Sequence, residues 1–353
     1  MRILVINPGS TSTKIAVYED EQPLLLRNIR HTVEELSRFE RIVDQHDFRR
    51  DLVVRELRKL DVQPNFDVII GRGGLAKPVA GGVYEVNEQM CHDMYHAVRR
   101  HVSNLGCVIA YELAASIPGC KAFIADPVVV DEMEEVARVS GLPEVPRVPV
   151  WHALNQRAIG RRFARENGQR YEDLNLIICH LGGGISVAAH AKGRAVDANN
   201  GLDGEGPFSP ERAGSLPPAD LVRLCFSGRY TEDELLKQIS GQGGLAAHLG
   251  TTDVRDVIRR IEGGDKRAEL LLDAMIYQTA KCIAAEGAVL CGKIDAILIT
   301  GGMAHSDYIT SRLRRRISFL GPVHVYPGED EMQALALNAL AVLRGQRELK
   351  QYV

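Results

Sequence analysis

The stretch MRILVINPGSTSTKIAVY, residues 1–18, determines how the chain begins to fold. Apolar residues at 3–6 and 15–18 enclose a turn of proline, glycine and small hydroxyl residues. Two β-forming runs joined by such a turn predict a β-hairpin, and residues 24–30 predict a third strand. The turn is not an ATP-binding P-loop, because the chain contains no GxxxxGK[ST] sequence and Lys14 precedes a strand rather than a helix.

The following residues alternate between helix and strand. Apolar residues at helical spacing over 32–60 predict one or two amphipathic helices. The remaining segments of this half predict strands over 67–70 and 122–125, and helices over 87–100 and 106–116. An alternating order of this kind predicts an α/β fold.

A similar unit follows a proline-rich stretch. Pro143, Pro146 and Pro149 interrupt the pattern, so a domain boundary is predicted there. The later segments predict helices over 153–165, 265–291 and 331–344, and strands over 176–179, 185–189, 296–300 and 323–326. An element of strand, small-residue turn and strand occurs in both halves, which indicates a weak internal repeat at the level of architecture.

Composition limits the classes of function. A chain of 353 residues is expected to form about two domains. With 45% apolar and 25% charged residues and a net charge of −3, there is no electrostatic reason to expect nucleic acid or a membrane as partner. The seven cysteines form no CxxC pair, and the N-terminus does not resemble a secretory signal, so a reduced, cytoplasmic protein is expected.

Polar or glycine-rich residues directly follow several predicted strands. They are NPGSTSTK at 7–14, GRGG at 71–74, ADP at 125–127, HLGGG at 180–184 and TGG at 300–302. Ligands of α/β proteins bind at strand ends, and glycine lets backbone N–H groups approach phosphate oxygens. Each segment alone is consistent with a plain tight turn, but together they predict a nucleotide site.

Motifs along the whole chain resemble the butyrate kinase branch of the acetate kinase family, which belongs to the actin-like ATPase superfamily. In order they are INPGSTSTK, GRGGLAKPVAGG, SNLG, ADP, WHALNQRAIGRRFA, HLGGGISV, VDANNGLDGEGPFSPERAGSLP, ITGGMAHS and YPGEDEMQALA. The resemblance implies a two-domain α/β fold of the actin-like (ribonuclease H-like) type, with a duplicated mixed sheet flanked by helices and an interdomain cleft. Residues 1–148 with 331–353 would bind the acyl substrate and metal, and residues 149–330 would bind the nucleotide.

The resemblance also implies an activity. Such enzymes transfer the γ-phosphoryl group of ATP reversibly to a carboxylate, giving an acyl phosphate and ADP, and use Mg²⁺. The expected acceptor is butyrate or a related short or branched acid, and a homo-oligomer is expected. Because phosphoryl transfer depends on positioning and charge neutralisation, arginines, a metal and backbone donors should dominate the site.

Residues that match the family's motifs have implied roles. The catalytic candidates are Arg72, Asp126, His152 and Arg212. The nucleotide and phosphate candidates are Asn7, Ser10, Ser12, His180, Gly182, Gly183, Gly184, Gly301 and Gly302. The Mg²⁺ candidates, partly through water, are Asn7, Asp126, Asp330 and Glu331. The motif leaves open which of Asp330 and Glu331 faces the metal, since either could instead cap the last helix.

Two other functions are compatible with the residues. A sugar or polyol kinase of the same superfamily would use Asp126 as general base toward a hydroxyl, whereas Arg72 and Arg212 suit a carboxylate better. A non-catalytic actin-like nucleotide-binding protein is the alternative from another class, and nucleotide-dependent polymers would favour it.

Overall fold

The computed structural model describes residues 1–97 and 101–353. Two compact units divide these residues. The first contains Met1–Val130 and Asp330–Val353, and the second contains Asp131–Glu329. The helix predicted over residues 87–100 ends, as far as it is described, at Tyr95, and residues 98–100 lie outside the described residues.

The strands of the described residues are, in chain order, β1 (Arg2–Pro8), β2 (Ser12–Glu19), β3 (Gln22–Arg30), β4 (Val68–Arg72), β5 (Val83–Glu85), β6 (Lys121–Ala125), β7 (Asn175–Leu181), β8 (Ile185–Ala191), β9 (Arg194–Ala198), β10 (Ala296–Gly301), β11 (Val323–Pro327) and β12 (Leu349–Lys350).

The α-helices of the same residues are α1 (Val33–Leu36), α2 (His46–Lys59), α3 (Glu88–Tyr95), α4 (Asn104–Ala115), α5 (Glu135–Arg138), α6 (Ala153–Glu166), α7 (Pro218–Cys225), α8 (Glu232–Ile239), α9 (Gly244–Leu249), α10 (Val254–Glu262), α11 (Lys266–Val289), α12 (Asp307–Ile317) and α13 (Glu331–Leu343). Short 3₁₀ helices cover Ile42–Gln45, Tyr171–Asp173 and Gly302–His305.

The sheet of the first unit has the strand order β12-β5-β6-β4-β1-β2-β3. β1 and β2 form the predicted antiparallel hairpin, and β1, β4 and β6 run parallel to one another. β1 and β4 are almost continuously apolar because they lie inside the sheet, where both faces are covered. α4 packs against β4 and β6, and α13 packs against β1.

The sheet of the second unit repeats this plan with the order β11-β10-β7-β8-β9. β7 pairs with β8 as a hairpin and with β10 in parallel. Alternate residues of β7 enter different cores: Ile177 packs in the core that contains α11, and Ile178 in the core that contains Phe163 of α6. Helices therefore cover both faces, and the predicted duplicated mixed sheet is confirmed.

The second unit begins at Asp131, upstream of the proline-rich stretch. Side chains link residues 131–148 to this unit: Arg157 Nη1 lies 2.8 Å from Glu132 Oε2, and Arg147 Nη2 lies 2.9 Å from Asp197 Oδ1. The boundary at 148/149 and the division of roles between two domains stay predictions. Among the described residues, no helix combines the length and the apolar character that crossing a membrane requires.

Candidate active site

Three candidate residues lie side by side at one end of the first unit's sheet. Asn7 is the penultimate residue of β1, Arg72 is the last residue of β4, and Asp126 directly follows β6. The parallel registers pair Ile6 with Gly71, and Arg72 with Ala125. The carboxyl ends of these neighbouring strands therefore present an amide, a guanidinium and a carboxylate at one edge, where α/β proteins bind ligands.

Glu331 joins two of these residues. Its Oε2 accepts a hydrogen bond from Asn7 Nδ2 at 2.8 Å and lies 2.7 Å from Arg72 Nη1. Asp330 has a different role, because its carboxylate accepts the Gln333 N–H at 3.1 Å and caps α13. Of the two acidic residues that the motif left open, Glu331 is thus the one in contact with other site candidates.

Asp126 is held in an uncommon backbone conformation. Its φ of +38° lies outside the region that residues with a Cβ usually adopt, and its side chain is 1% exposed. Gly82 fixes it from both directions: the Gly82 N–H donates to Asp126 Oδ1 at 2.8 Å, and the Asp126 N–H donates to the Gly82 carbonyl at 2.9 Å. A residue held in this way at a strand end is typical of a functional site.

The oxygen ligands available at this edge suit Mg²⁺. Asn7, Asp126 and Glu331 offer an amide and two carboxylates, the hard donors that this cation prefers. Within residues 1–97 and 101–353, no group of three or more His, Cys, Asp and Glu side chains is arranged to hold a metal ion. A Mg²⁺ ion that is carried by nucleotide phosphates needs only one or two protein carboxylates, so the donor set fits.

The hairpin turn after β1 is held by Arg49, which the sequence analysis did not identify. This α2 side chain is 0% exposed, and its Nη1 donates to the Gly9 carbonyl at 3.0 Å, the Ser12 carbonyl at 3.1 Å and Thr13 Oγ1 at 3.0 Å. Burial lowers the pKa of Arg49 to about 10. Ser10 is exposed and Ser12 is half-buried on this turn, so both hydroxyls belong to a segment that Arg49 fixes from below.

His31, the residue directly after β3, contacts the same turn. Its Nε2 lies 2.9 Å from Thr13 Oγ1, and its backbone N–H donates to the Thr11 carbonyl at 2.9 Å. Burial, and then the charge of Arg49, lower the pKa of His31 to about 4. His31 is therefore neutral near pH 7, and the guanidinium of Arg49 is the positive charge beneath the turn.

Two histidines stack in the second unit. His152 precedes α6 and His180 lies in β7, and their rings are 3.8 Å apart between centroids and inclined by 9°. His152 Nδ1 lies 2.8 Å from Ser186 Oγ, and His180 Nδ1 lies 2.8 Å from Asn155 Oδ1. His180 Nε2 is 3.9 Å from Glu329 Oε2, so a carboxylate faces the His180 end of the pair.

The Arg212 side chain packs against the glycine turn at 182–184. A Cβ on Gly184 would collide with the Arg212 guanidinium, so the arginine occupies the space that a side chain would fill. Arg212 Nη1 donates to the Gly201 carbonyl at 2.7 Å, and burial lowers the pKa of Arg212. The turn itself is braced by Ser209, whose hydroxyl donates to the Gly183 carbonyl at 2.5 Å.

The turn after β10 also needs its glycine. Gly301 has a φ of +94°, and a Cβ there would collide with the Leu181 carbonyl of β7. Gly301 and Gly328 exchange two backbone hydrogen bonds of 3.1 and 3.0 Å. Gly302 is exposed, and apart from its chain neighbours and the backbone of its own helical turn, no heavy atom of the described residues lies within 4 Å of the position that a Cβ on it would take.

Known proteins resemble this chain over its full length. Residues 150–327 match the family model of the acetokinase family. A probable butyrate kinase of Bacteroides thetaiotaomicron is 64% identical, and the match covers 100% of both chains. The chain belongs to the acetokinase family. Butyrate kinase 2 of Clostridium acetobutylicum is 51% identical to this acetokinase, with 99% of both chains covered.

A solved structure shows the same fold. Porphyromonas gingivalis acetate kinase superposes on the acetokinase with a TM-score of 0.80 at 19% identity, covering 97% of this chain and 99% of that one. The predicted two-domain α/β fold of the acetate kinase type is thereby confirmed. The roles of the individual site residues stay predictions.

Proposed function

We propose that this acetokinase transfers the γ-phosphoryl group of ATP reversibly to butyrate, or to a related short or branched carboxylate. The observation that carries the proposal is the placement of Asn7, Arg72 and Asp126 at the ends of adjacent parallel strands, with Glu331 bound to the first two. The full-length relatives that are named butyrate kinases support the choice of acceptor.

The reaction needs positioned charge rather than a strong base. A carboxylate oxygen of the acid attacks Pγ, and the bond from Pγ to the bridging β–γ oxygen breaks, which releases ADP. The acid is already ionised near neutral pH, so no proton has to be removed. Arg72 and Arg212 are the residues proposed to neutralise charge on the carboxylate and on the transferring phosphoryl group, because a guanidinium binds either of them bidentately.

Asp126 is better suited to orientation than to proton removal. Its Oδ1 accepts the Gly82 N–H at 2.8 Å, and its backbone N–H donates to the Gly82 carbonyl, so the carboxylate has a fixed direction at the strand end. The proposed guanidinium partners, Arg72 and Arg212, pair with a carboxylate acceptor, whereas a polyol offers them no charge to neutralise. These residues support a carboxylate acceptor over a polyol.

Asn7, Asp126 and Glu331 are proposed to hold Mg²⁺, partly through water. When bound with ATP, this ion neutralises part of the phosphate charge. Ser10, Ser12, the glycines at 182–184, His180, Gly301 and Gly302 are proposed to contact the nucleotide. His152 is proposed to donate a hydrogen bond to the transferring phosphoryl group, and the protein is proposed to act as a homo-oligomer in the cytoplasm.

The test is acyl-phosphate formation, trapped as the hydroxamate, from ATP, Mg²⁺ and acetate, propionate, butyrate, isobutyrate or isovalerate. We expect the highest kcat/KM with butyrate or a branched acid. The matched control is Arg212→Ala, purified in the same way, which should lose about 100-fold or more in kcat while it remains folded. Absence of product from every acid would refute the proposed function, and equal activity of Arg212→Ala would remove this arginine from the mechanism.

A further inference from the structure

A chain of buried polar side chains leads from His152 into the second unit. Its members are Ser186 and His190 of β8, Gln156 of α6 and Tyr171 of the 3₁₀ helix. Ser186, Gln156 and His190 are 0% exposed, and Tyr171 is 3% exposed. Polar groups that are buried this deeply must be hydrogen-bonded to be tolerated, so the direction of each bond can be worked out from the donors and acceptors.

The orientation of Gln156 is fixed by a backbone carbonyl. Its Nε2 lies 3.1 Å from the Ser186 carbonyl oxygen, which can only accept, so the amide nitrogen is on that side. The same nitrogen donates its other proton to Ser186 Oγ at 2.9 Å. Its Oε1, which can only accept, lies 3.1 Å from His190 Nε2. His190 therefore carries a proton on Nε2.

The hydroxyl of Ser186 has three polar partners. It accepts the Gln156 amide N–H, and it accepts the backbone N–H of His152 at 3.2 Å. Both acceptor positions of the oxygen are then used. The third partner, His152 Nδ1 at 2.8 Å, must accept the hydroxyl proton.

We propose that Ser186, oriented by Gln156, is a positioning residue that holds His152 as the neutral tautomer with its proton on Nε2. An Nδ1–H on His152 would face a hydroxyl oxygen whose two acceptor positions are already occupied. The Nε2–H is then a fixed donor for a phosphoryl oxygen, and such a preorganised donor acts only where negative charge develops. This inference rests on the proposed role of His152 in phosphoryl transfer.

The stack with His180 is consistent with a neutral His152. Two parallel imidazoles at 3.8 Å would repel each other if both were charged. Glu329 lies beside the His180 ring, so a positive charge in the pair is better placed on His180. His190 and Tyr171 extend the chain behind Gln156: for a neutral His190, the Tyr171 hydroxyl donates to its Nδ1, at 2.6 Å.

The first test is made on the wild-type protein. Full-length protein with ¹⁵N-labelled histidine gives a pattern of imidazole nitrogen resonances that distinguishes the two tautomers, and the His152 signals are assigned by their loss in His152→Gln. We expect a protonated Nε2 and an unprotonated Nδ1 at pH 7. A His152 protonated on Nδ1 would overturn the proposal.

The second test separates positioning from stability. Ser186→Ala should lower kcat by about 10-fold to 100-fold, the range that is typical when the hydrogen-bond partner of a metal-binding histidine is removed, with KM values within about threefold. In a His152→Ala background the same change should alter kcat by less than about twofold, because Ser186 then has no imidazole to orient. An equal loss of kcat in both backgrounds would overturn the proposal.

Thr279→Val is the matched control for the loss of a buried hydroxyl. Thr279 is 1% exposed and donates to the Met275 carbonyl at 2.8 Å within α11. It should change the free energy of unfolding but neither kcat nor the His152 resonances.

If the wild type shows the Nε2–H pattern but makes no acyl phosphate, the proposed function fails while the assignment of the proton stands.

Discussion

Replacing Arg49 by methionine should loosen the hairpin turn after β1. Methionine retains much of the apolar stem but removes every hydrogen bond to the Gly9 and Ser12 carbonyls and to Thr13 Oγ1. Nη1 has two protons for these three acceptors, so about two full hydrogen bonds from a charged donor are lost, at about 1.5–3 kcal/mol each or about 3–6 kcal/mol in sum. The cost of burying the guanidinium offsets part of this stabilisation. We therefore expect the free energy of unfolding to fall by about 2–4 kcal/mol.

The same change should weaken nucleotide binding selectively. The turn contains Ser10 and Ser12, which are proposed to contact the nucleotide. A less ordered turn that also lacks the positive charge of Arg49 should raise the KM for ATP by about tenfold, which is about 1.4 kcal/mol. The KM for the acid should change much less. Urea unfolding and steady-state kinetics with each substrate varied in turn measure the two effects.

Arg50→Met is the control from the next position of α2. Arg50 is 30% exposed and pairs with Asp47, Asp51 and Glu112 at the surface. Surface ion pairs contribute about 0–1 kcal/mol, so this variant should stay close to wild type in stability and in the KM for ATP. If Arg49→Met and Arg50→Met behaved alike, the reasoning about the turn would be refuted.

Four further substitutions test other groups. Burial, and then Asp197, raise the pKa of Glu286 from 4.5 to about 8, so the folded state binds more protons than the unfolded state between these values and loses stability as pH rises through them. Glu286→Gln should reduce the fall in unfolding free energy between pH 6 and pH 8 by about 2–3 kcal/mol, and an unchanged fall would contradict this. Glu331→Gln should raise the Mg²⁺ concentration needed for half-maximal activity, whereas Asp330→Ala should cost about 1 kcal/mol of stability as a lost cap without that shift. Gly184→Ala should lower kcat by displacing Arg212, and combining it with Arg212→Ala should cause little further loss, since both act on one guanidinium.

The sequence was sufficient to place the strand ends. The apolar runs before Asn7, Arg72 and Asp126 are nearly continuous, and such runs identify strands inside a parallel sheet. Parallel neighbours end at the same edge, so recognising the strands was enough to predict that these residues gather. Short or edge elements were missed: β5 has only three residues, and β9 (RAVDA) lies at the edge of its sheet and includes two charged residues, so neither contains an apolar run like those of β4 and β6.

The supporting residues could not be predicted in the same way. Arg49 looks like any charged residue of an amphipathic helix, and only docking of α2 shows that it points at backbone carbonyls of a turn 37 to 40 residues earlier. Ser186 and Gln156 have no motif of their own, because a hydrogen-bond direction depends on all partners of an atom at once. Such contacts exist only after the elements have packed.

In the glycine turn at 182–184, Gly184 has a structural role that the sequence motif alone does not reveal. The sequence suggests that glycine is present so that phosphate oxygens can reach the backbone. The structure adds a second reason for Gly184, since the Arg212 guanidinium lies where a Cβ would be. An arginine that packs on a backbone and donates to the Gly201 carbonyl loses much of its side-chain freedom before any substrate binds. Under the proposed function, the turn would contribute to phosphoryl transfer in two ways, through its own N–H groups and by fixing the arginine that is proposed to meet the transferring charge.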